Sequence, residues 1–168
     1  MQRDAGALSP TDIFAGLNKA RVKYLVVGGI AVVLYGVNRA TWDVDVAVHL
    51  TVPNLKRLDK ALQRLGFSRR VPASVLGLAD PRIRRQWTVD KGMRVYSYLE
   101  NTPPQRTIDV MVQPLRDFDA LYRRRTTKRA DGVAIPLVPV RTLAAMKRRA
   151  GRPQDLQDLR DLRQLKKI

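Results

Sequence analysis

The stretch from Tyr24 to Leu50, YLVVGGIAVVLYGVNRATWDVDVAVHL, constrains the fold more than any other part of the chain. An apolar strand, Tyr24 to Val27, runs into the pair Gly28-Gly29. A short apolar helix is predicted over Ile30 to Tyr35, stopped by Gly36, and a second strand, Asp43 to Leu50, carries two aspartates one residue apart. Successive side chains on a strand point to opposite faces, so Asp43 and Asp45 project together while Val44, Val46 and Val48 line the other side. Aspartate is depleted in strands, and neighbouring carboxylates repel unless a proton or a cation intervenes.

The flanking sequence supplies further elements. Ser9-Pro10-Thr11-Asp12 reads as a helix start with Ser9 as N-cap, leading Ile13, Phe14, Leu17 and Val22 toward a core. Val52-Pro53-Asn54 opens a helix whose Leu55, Leu58, Leu62 and Leu65 share one face, ended by Gly66. A short strand is predicted around Phe67 to Val71, then a turn at Ala79-Asp80-Pro81 followed by the basic cluster Arg82, Arg84 and Arg85. Met93 to Leu99 and Thr107 to Val112 read as strands about a turn at Asn101 to Pro104, the second with Asp109 at its middle. Asp117 to Tyr122 opens a helix expected to run on into Arg123, Arg124, Arg125, Lys128 and Arg129, the densest basic block. A strand over Val133 to Val138, a helix over Val140 to Ala150 and a terminal helix over Pro153 to Lys167, with a stripe of Leu156, Leu159, Leu162 and Leu165, complete the chain.

At 168 residues with 45% hydrophobic and 28% charged side chains, the chain is expected to form one compact domain over 1–168, with a core over about 9–138 and a C-terminal helical segment over about 139–168. The absence of cysteine excludes disulfides, thiolate metal sites and thiolate nucleophiles. No run approaches a membrane span, and an N-terminus containing Asp4 and the Pro10 helix start lacks the blocks of a signal peptide, so a cytoplasmic protein with no membrane partner is expected. Thirty-two Lys and Arg against 15 Asp and Glu leave a formal charge of +17, which attracts polyanions, nucleic acid foremost. Arg82, Arg84, Arg85, Arg123, Arg124, Arg125, Lys128 and Arg129 are the expected nucleic-acid contacts.

Asp43, Asp45 and Asp109 are flanked by valine, isoleucine or methionine, which places them in a crevice or a core. Carboxylates so placed call for a hard cation, and Mg²⁺, or Mn²⁺ in its place, takes oxygen ligands together with substrate phosphates. A strand ending in Gly-Gly before a helix start offers backbone N–H groups to phosphate. Arg39, just before the second strand, either reaches the same phosphate or is a surface-loop arginine. Trp42 and Trp87 serve as core or pocket lining, or stack on a base. His49, the single histidine, reads as a solvated or capping residue.

The succession Val27-Gly28-Gly29, thirteen residues, then Asp43-Val44-Asp45 resembles the DNA polymerase beta-like nucleotidyltransferase superfamily, with the spacer at the long end of that family's range. Within it, GGIAVVLYGVNRATWDVDVAV is similar to the small bacterial nucleotidyltransferases of the AbiEii type, many of them toxins of toxin–antitoxin pairs. Thr107-Ile108-Asp109-Val110 sits where the family places its third carboxylate, and Lys147, Arg152, Asp155 and Asp158 match a C-terminal family segment in which Gln154 replaces the usual lysine. The resemblance implies an α+β fold: a mixed, mostly antiparallel sheet with helices packed on it and C-terminal helices. It implies that Gly28 and Gly29 hold a triphosphate, that Asp43 and Asp45 bind metal, and that Asp109 is a third ligand or a general base. Lys147 either neutralises triphosphate charge or is a surface lysine, and Asp155 and Asp158 either serve the site or favour the helix dipole. The implied partners are an NTP, tRNA or another RNA, and a cognate antitoxin. A protein hydroxyl or a small molecule is the alternative acceptor, and a non-catalytic basic module that binds RNA or a partner is the alternative to an enzyme.

Overall fold

The computed structural model describes residues 8–168; Asp4, part of the N-terminal reading above, lies outside them. The strands are β1 (Tyr24–Val27), β2 (Val44–Val48), β3 (Phe67–Arg69), β4 (Val95–Glu100), β5 (Thr107–Met111), β6 (Thr126–Ala130) and β7 (Val133–Leu137). The helices are α1 (Pro10–Lys19), α2 (Gly28–Leu34), α3 (Val52–Arg64), α4 (Pro81–Lys91), α5 (Phe118–Arg123), α6 (Val140–Ala150) and α7 (Pro153–Gln164). One sheet takes the order β3-β4-β5-β2-β1-β7-β6. Only the β1–β7 and β2–β5 pairings are parallel, so the expected mixed, mostly antiparallel sheet with helices packed on it is what forms.

Register explains which face does what. Val44 and Val46 of β2 lie opposite Ile108 and Val110 of β5, which lie opposite Tyr98 and Tyr96 of β4. All six are buried and join Leu55, Leu58 and Leu62 of α3 in the core. The intervening residues form a row across the other face: Ser97 on β4, Asp109 on β5, Asp45 on β2 and Val27 on β1 are successive cross-strand partners. The turn that joins β4 to β5 is tied by a buried ion pair, in which Arg106 donates from Nε and Nη2 to Glu100 at 3.0 Å each.

Several elements differ from expectation. α2 starts at Gly28 and not at Ile30, and β2 begins at Val44, so Asp43 stands just before the strand. β3 stops at Arg69. The weakly patterned stretch after it holds a 3-10 turn (Val75–Ala79) and α4, whose N-cap Asp80 accepts from Arg82 N and whose first residue is Pro81. The helix expected to continue through Lys128 and Arg129 ends at Arg123; Arg124 and Arg125 lie in the connection, and Lys128 and Arg129 are on edge strand β6. The cause is Asp131-Gly132, both at positive φ, which closes a two-residue hairpin between Ala130 and Val133; β-branched Thr126 and Thr127 suit the strand. α7 ends at Gln164, and its buried face is Asp155, Asp158, Leu159 and Leu162, while Leu156 and Leu165 are exposed. Of the expected leucine stripe, Leu159 and Leu162 therefore pack inward and Leu156 and Leu165 do not, the face being completed by Asp155 and Asp158.

Glu100→Ala leaves buried Arg106 without its carboxylate and is expected to cost about 3–5 kcal/mol in urea denaturation. A loss below 1 kcal/mol would mean that this pair does not hold the β4–β5 turn.

Candidate active site

Gly28 ends β1 at φ +66, in the left-handed region that glycine tolerates. A Cβ at this position would come within 2.1 Å of Asp45 Oδ2, so the turn and the carboxylate fit only because the side chain is absent. At Gly29 a Cβ would meet Thr41 Oγ1 at 2.7 Å and Arg39 Nη2 at 3.0 Å. Chain reversal after α2 thus lays Arg39 to Asp45 back across the glycine turn. No side chain caps the first turn of α2.

From the other side come α6 and α7. Lys147, expected either to meet phosphate or to lie on the surface, is buried, and its Nζ contacts Asp155 Oδ1 at 3.0 Å and Asp158 Oδ2 at 2.7 Å. Asp158, fully buried, also accepts both Oδ contacts from Arg39 Nη1, at 2.7 and 2.8 Å, and one from Gln154 Nε2 at 3.0 Å. Arg152 Nε donates to Asp155 Oδ2 at 2.7 Å, with its side chain largely exposed. Burial alone pushes the Asp155 and Asp158 carboxyls up, but these donors outweigh it and hold both below the ordinary value. Two of the three donors of Lys147 are engaged this way, and Arg39 keeps Nη2 toward the glycine turn.

Gly28, Gly29, Arg39, Asp43, Asp45, Asp109 and Lys147 line one cleft of about 510 Å³. Gln154 lies on its wall, where the usual lysine of the resembled segment would add a cation. The carboxylates remain strained electrostatically. Burial, and then the charges of Asp109 and Asp43, push the Asp45 carboxyl from 3.8 up to about 6, against the pull of Lys147 and Arg152. Asp109 Oδ1 accepts from Ser97 Oγ at 2.5 Å. Among the described residues, no group of three or more His, Cys, Asp or Glu is placed closely enough to hold a metal ion as it stands. The donor chemistry nonetheless fits a hard divalent cation: three carboxylates line one cleft, and one of them is raised by burial and by its carboxylate neighbours.

No protein-family model matches the sequence, and no curated protein does. Solved structures do match in shape. A candidate nucleotidyltransferase of Thermotoga maritima superposes with a TM-score of 0.57 at 13% identity, over 95% of this chain and 96% of that one. A nucleotidyltransferase-like antigenic protein of Paracoccidioides brasiliensis gives 0.54 at 17% identity, over 90% of this chain and 71% of that one. The fold is nucleotidyltransferase-like.

On this nucleotidyltransferase-like scaffold the expected basic contacts do not form one surface. Arg82, Arg84 and Arg85 ride on α4, which packs through Trp87 against Tyr96 of β4, and half-buried Arg84 donates to Leu78 O at 2.5 Å. Arg123 ends α5, which meets Lys23 and His49 beside the central strands β1 and β2; Arg124 and Arg125 follow in the connection, and Lys128 and Arg129 lie on edge strand β6. Arg125 sits over the Tyr122 ring at 4.2 Å, and Arg129 donates to Gly132 O at 3.1 Å. Trp87 is core, whereas Trp42 is 74% exposed in a neighbouring groove. His49 stacks on Phe118, and its Nε2 lies 3.7 Å from Asp119. Thr41, Ser97 and Arg152 in its present place were not singled out as site residues. Thr41 lines the cleft from the loop before β2, and Ser97 became visible only through the β4–β5 register.

Two outcomes follow from these charges. Because the folded-state value of Asp45 is raised, its contribution to stability falls as pH rises from about 4 through about 6 and stays low above that. In EDTA, wild type should therefore lose Tm relative to Asp45→Asn between pH 4.5 and 7.5, and Mg²⁺ should restore it at pH 7.5; identical slopes for the two proteins would refute this. Lys147→Met strands two buried carboxylates and should destabilise by about 3–5 kcal/mol, most of it recovered in the Lys147→Met, Asp155→Asn, Asp158→Asn triple variant.

Proposed function

We propose that this chain is a metal-dependent nucleotidyltransferase that moves a nucleoside monophosphate from an NTP to an acceptor hydroxyl and releases pyrophosphate, with the 3′ end of tRNA as acceptor and a toxin's role beside a cognate antitoxin. The observation that carries the reading is convergence: the glycine turn, three aspartates, and the cations Arg39 and Lys147, drawn from five separate segments, line one cleft. The nucleotidyltransferase-like fold supports it independently of those residues.

In this reading Asp43 and Asp45 would hold Mg²⁺, which when bound supplies charge neutralisation at the reacting phosphate, and Asp109 is the general base of the two roles open to it. The chain's own groups do the rest. The turn at Gly28-Gly29 lets a triphosphate lie against the backbone, with no Cβ to keep it away. Arg39 Nη2 and the remaining donor of Lys147 face that tail, and Asp158 holds both cations in place. Asp109 receives the proton of the acceptor hydroxyl as its oxygen attacks the α-phosphorus and pyrophosphate departs. Ser97, bonded to Oδ1, leaves Oδ2 for this task. The charge of +17 favours a polyanionic acceptor and predicts binding that weakens steeply with salt.

With labelled NTPs, Mg²⁺ and total tRNA, wild type should label RNA, and Asp45→Asn should lower the rate by at least about 10²-fold, the scale of removing one charge-stabilising group. Equal labelling by Asp45→Asn would overturn the mechanism, and label on a protein band with none on RNA would overturn the acceptor.

A further inference from the structure

The cleft does not end at the carboxylates. A second, smaller pocket of about 160 Å³ opens from it, and Gly28, Asp45, Lys147, Arg152 and Asp155 line both. Its other walls are Val27, Met111, Leu143, Met146 and Ala150. These side chains carry no hydrogen-bonding group stronger than a thioether. The two methionines reach it from elements already committed to the site: Met111 is two residues beyond Asp109 on the same face of β5, and Met146 immediately precedes Lys147 on α6. Neither is fully buried, whereas Leu143 behind them is. A ligand spanning both spaces would present a polyanionic end on the Gly28–Lys147 side and a weakly polar end against the two thioethers.

We propose that this pocket is the nucleobase subsite of the NTP, a slot in which Met111 and Met146 flank the ring. The assignment rests on the nucleotidyltransferase reading and adds to it how the base is read. Thioether sulfur is polarisable, packs well against aromatic rings and adapts to their outline. A slot with this wall grips the ring by contact area; its charged lining, Asp45, Lys147, Arg152 and Asp155, is shared with the cleft and committed there, so the Watson–Crick edge goes unread by side chains. It discriminates by ring size and stacking strength, so purine nucleotides bind more tightly than pyrimidine nucleotides, while ATP and GTP differ little. Sequence inspection could not reach this, because Met111 and Met146 look like ordinary core residues until strand register and helix phase bring them to one pocket.

The test compares ligands that share the tail but not the ring. Binding of ATP, GTP, CTP, UTP and inorganic tripolyphosphate, each with Mg²⁺, is measured by calorimetry for wild type, Met146→Trp, which fills the slot, and Met111→Leu, which keeps its volume. Met146→Trp should weaken ATP and GTP by about 10–100-fold, the span of one stacked base, and leave tripolyphosphate within about 2-fold. Met111→Leu should change purine binding by less than about 5-fold, which separates loss of the slot from loss of the fold. Undiminished ATP binding by Met146→Trp would overturn the proposal, as would an equal fall for ATP and tripolyphosphate in a variant that keeps the wild-type Tm. Discrimination between ATP and GTP above about 10-fold would overturn the claim that the edge is unread. If wild type binds neither NTP nor tripolyphosphate, the nucleotidyltransferase reading itself fails, a result distinct from triphosphate binding that ignores the slot.

Discussion

The buried ammonium of Lys147 is the interaction on which the site depends. It sits between Asp155 and Asp158, and through Asp158 it is coupled to Arg39, on the far side of the glycine turn. Burying a charge costs several kcal/mol per ion unless partners satisfy it, so none of these side chains keeps its place alone. The network therefore does two things at once. It docks α7 and α6 against the loop before β2, and it leaves two cations pointing into the cleft with donors to spare.

Opposite this network stands a constraint of a different kind, set by the sheet. Cross-strand pairing puts Asp45 beside Asp109 and beside the end of β1, so the carboxylates cannot separate without breaking the ladder. The missing side chain of Gly28 then lets Asp45 Oδ2 approach the turn. Backbone geometry forces the negative charges together, and side-chain ion pairing brings positive charges to face them. The Asp45 carboxyl is raised by its burial first and by Asp109 and Asp43 after it, and the facing cations Lys147 and Arg152 pull it down without cancelling either.

Much of this was legible in the chain, and what was not has definite causes. The strand–Gly-Gly–helix–strand order and the valine face of β2 follow from period-two patterning and glycine chemistry, which act over a few residues. Asp109 was readable because an aspartate amid apolar strand residues is unusual wherever it stands. Lys147 and Asp158 drew alternatives because burial depends on helix phase: a leucine stripe at 156, 159, 162 and 165 suggested one face of α7, and the ion network turned a neighbouring face inward. The β6 hairpin had its signal, Asp131-Gly132, but an arginine-rich run reads as helix when charge is weighed above turn chemistry. Ser97 had no local signal, since only register pairs it with Asp109.

The same separation of scales explains how a chain of net charge +17 keeps a carboxylate-rich centre. At physiological ionic strength a charge is screened over about 8 Å, so the arginines of α4 and those of β6, at opposite ends of the sheet, act mainly on what approaches from solvent. Asp45 answers to its immediate neighbours, two carboxylates and two cations, and to burial. The surface charge thus raises the potential felt by anions in the solvent without discharging the aspartates of the cleft. A chain with its arginines packed around the cleft would pair them with those carboxylates, lower their affinity for a divalent ion and give up the site to gain the surface.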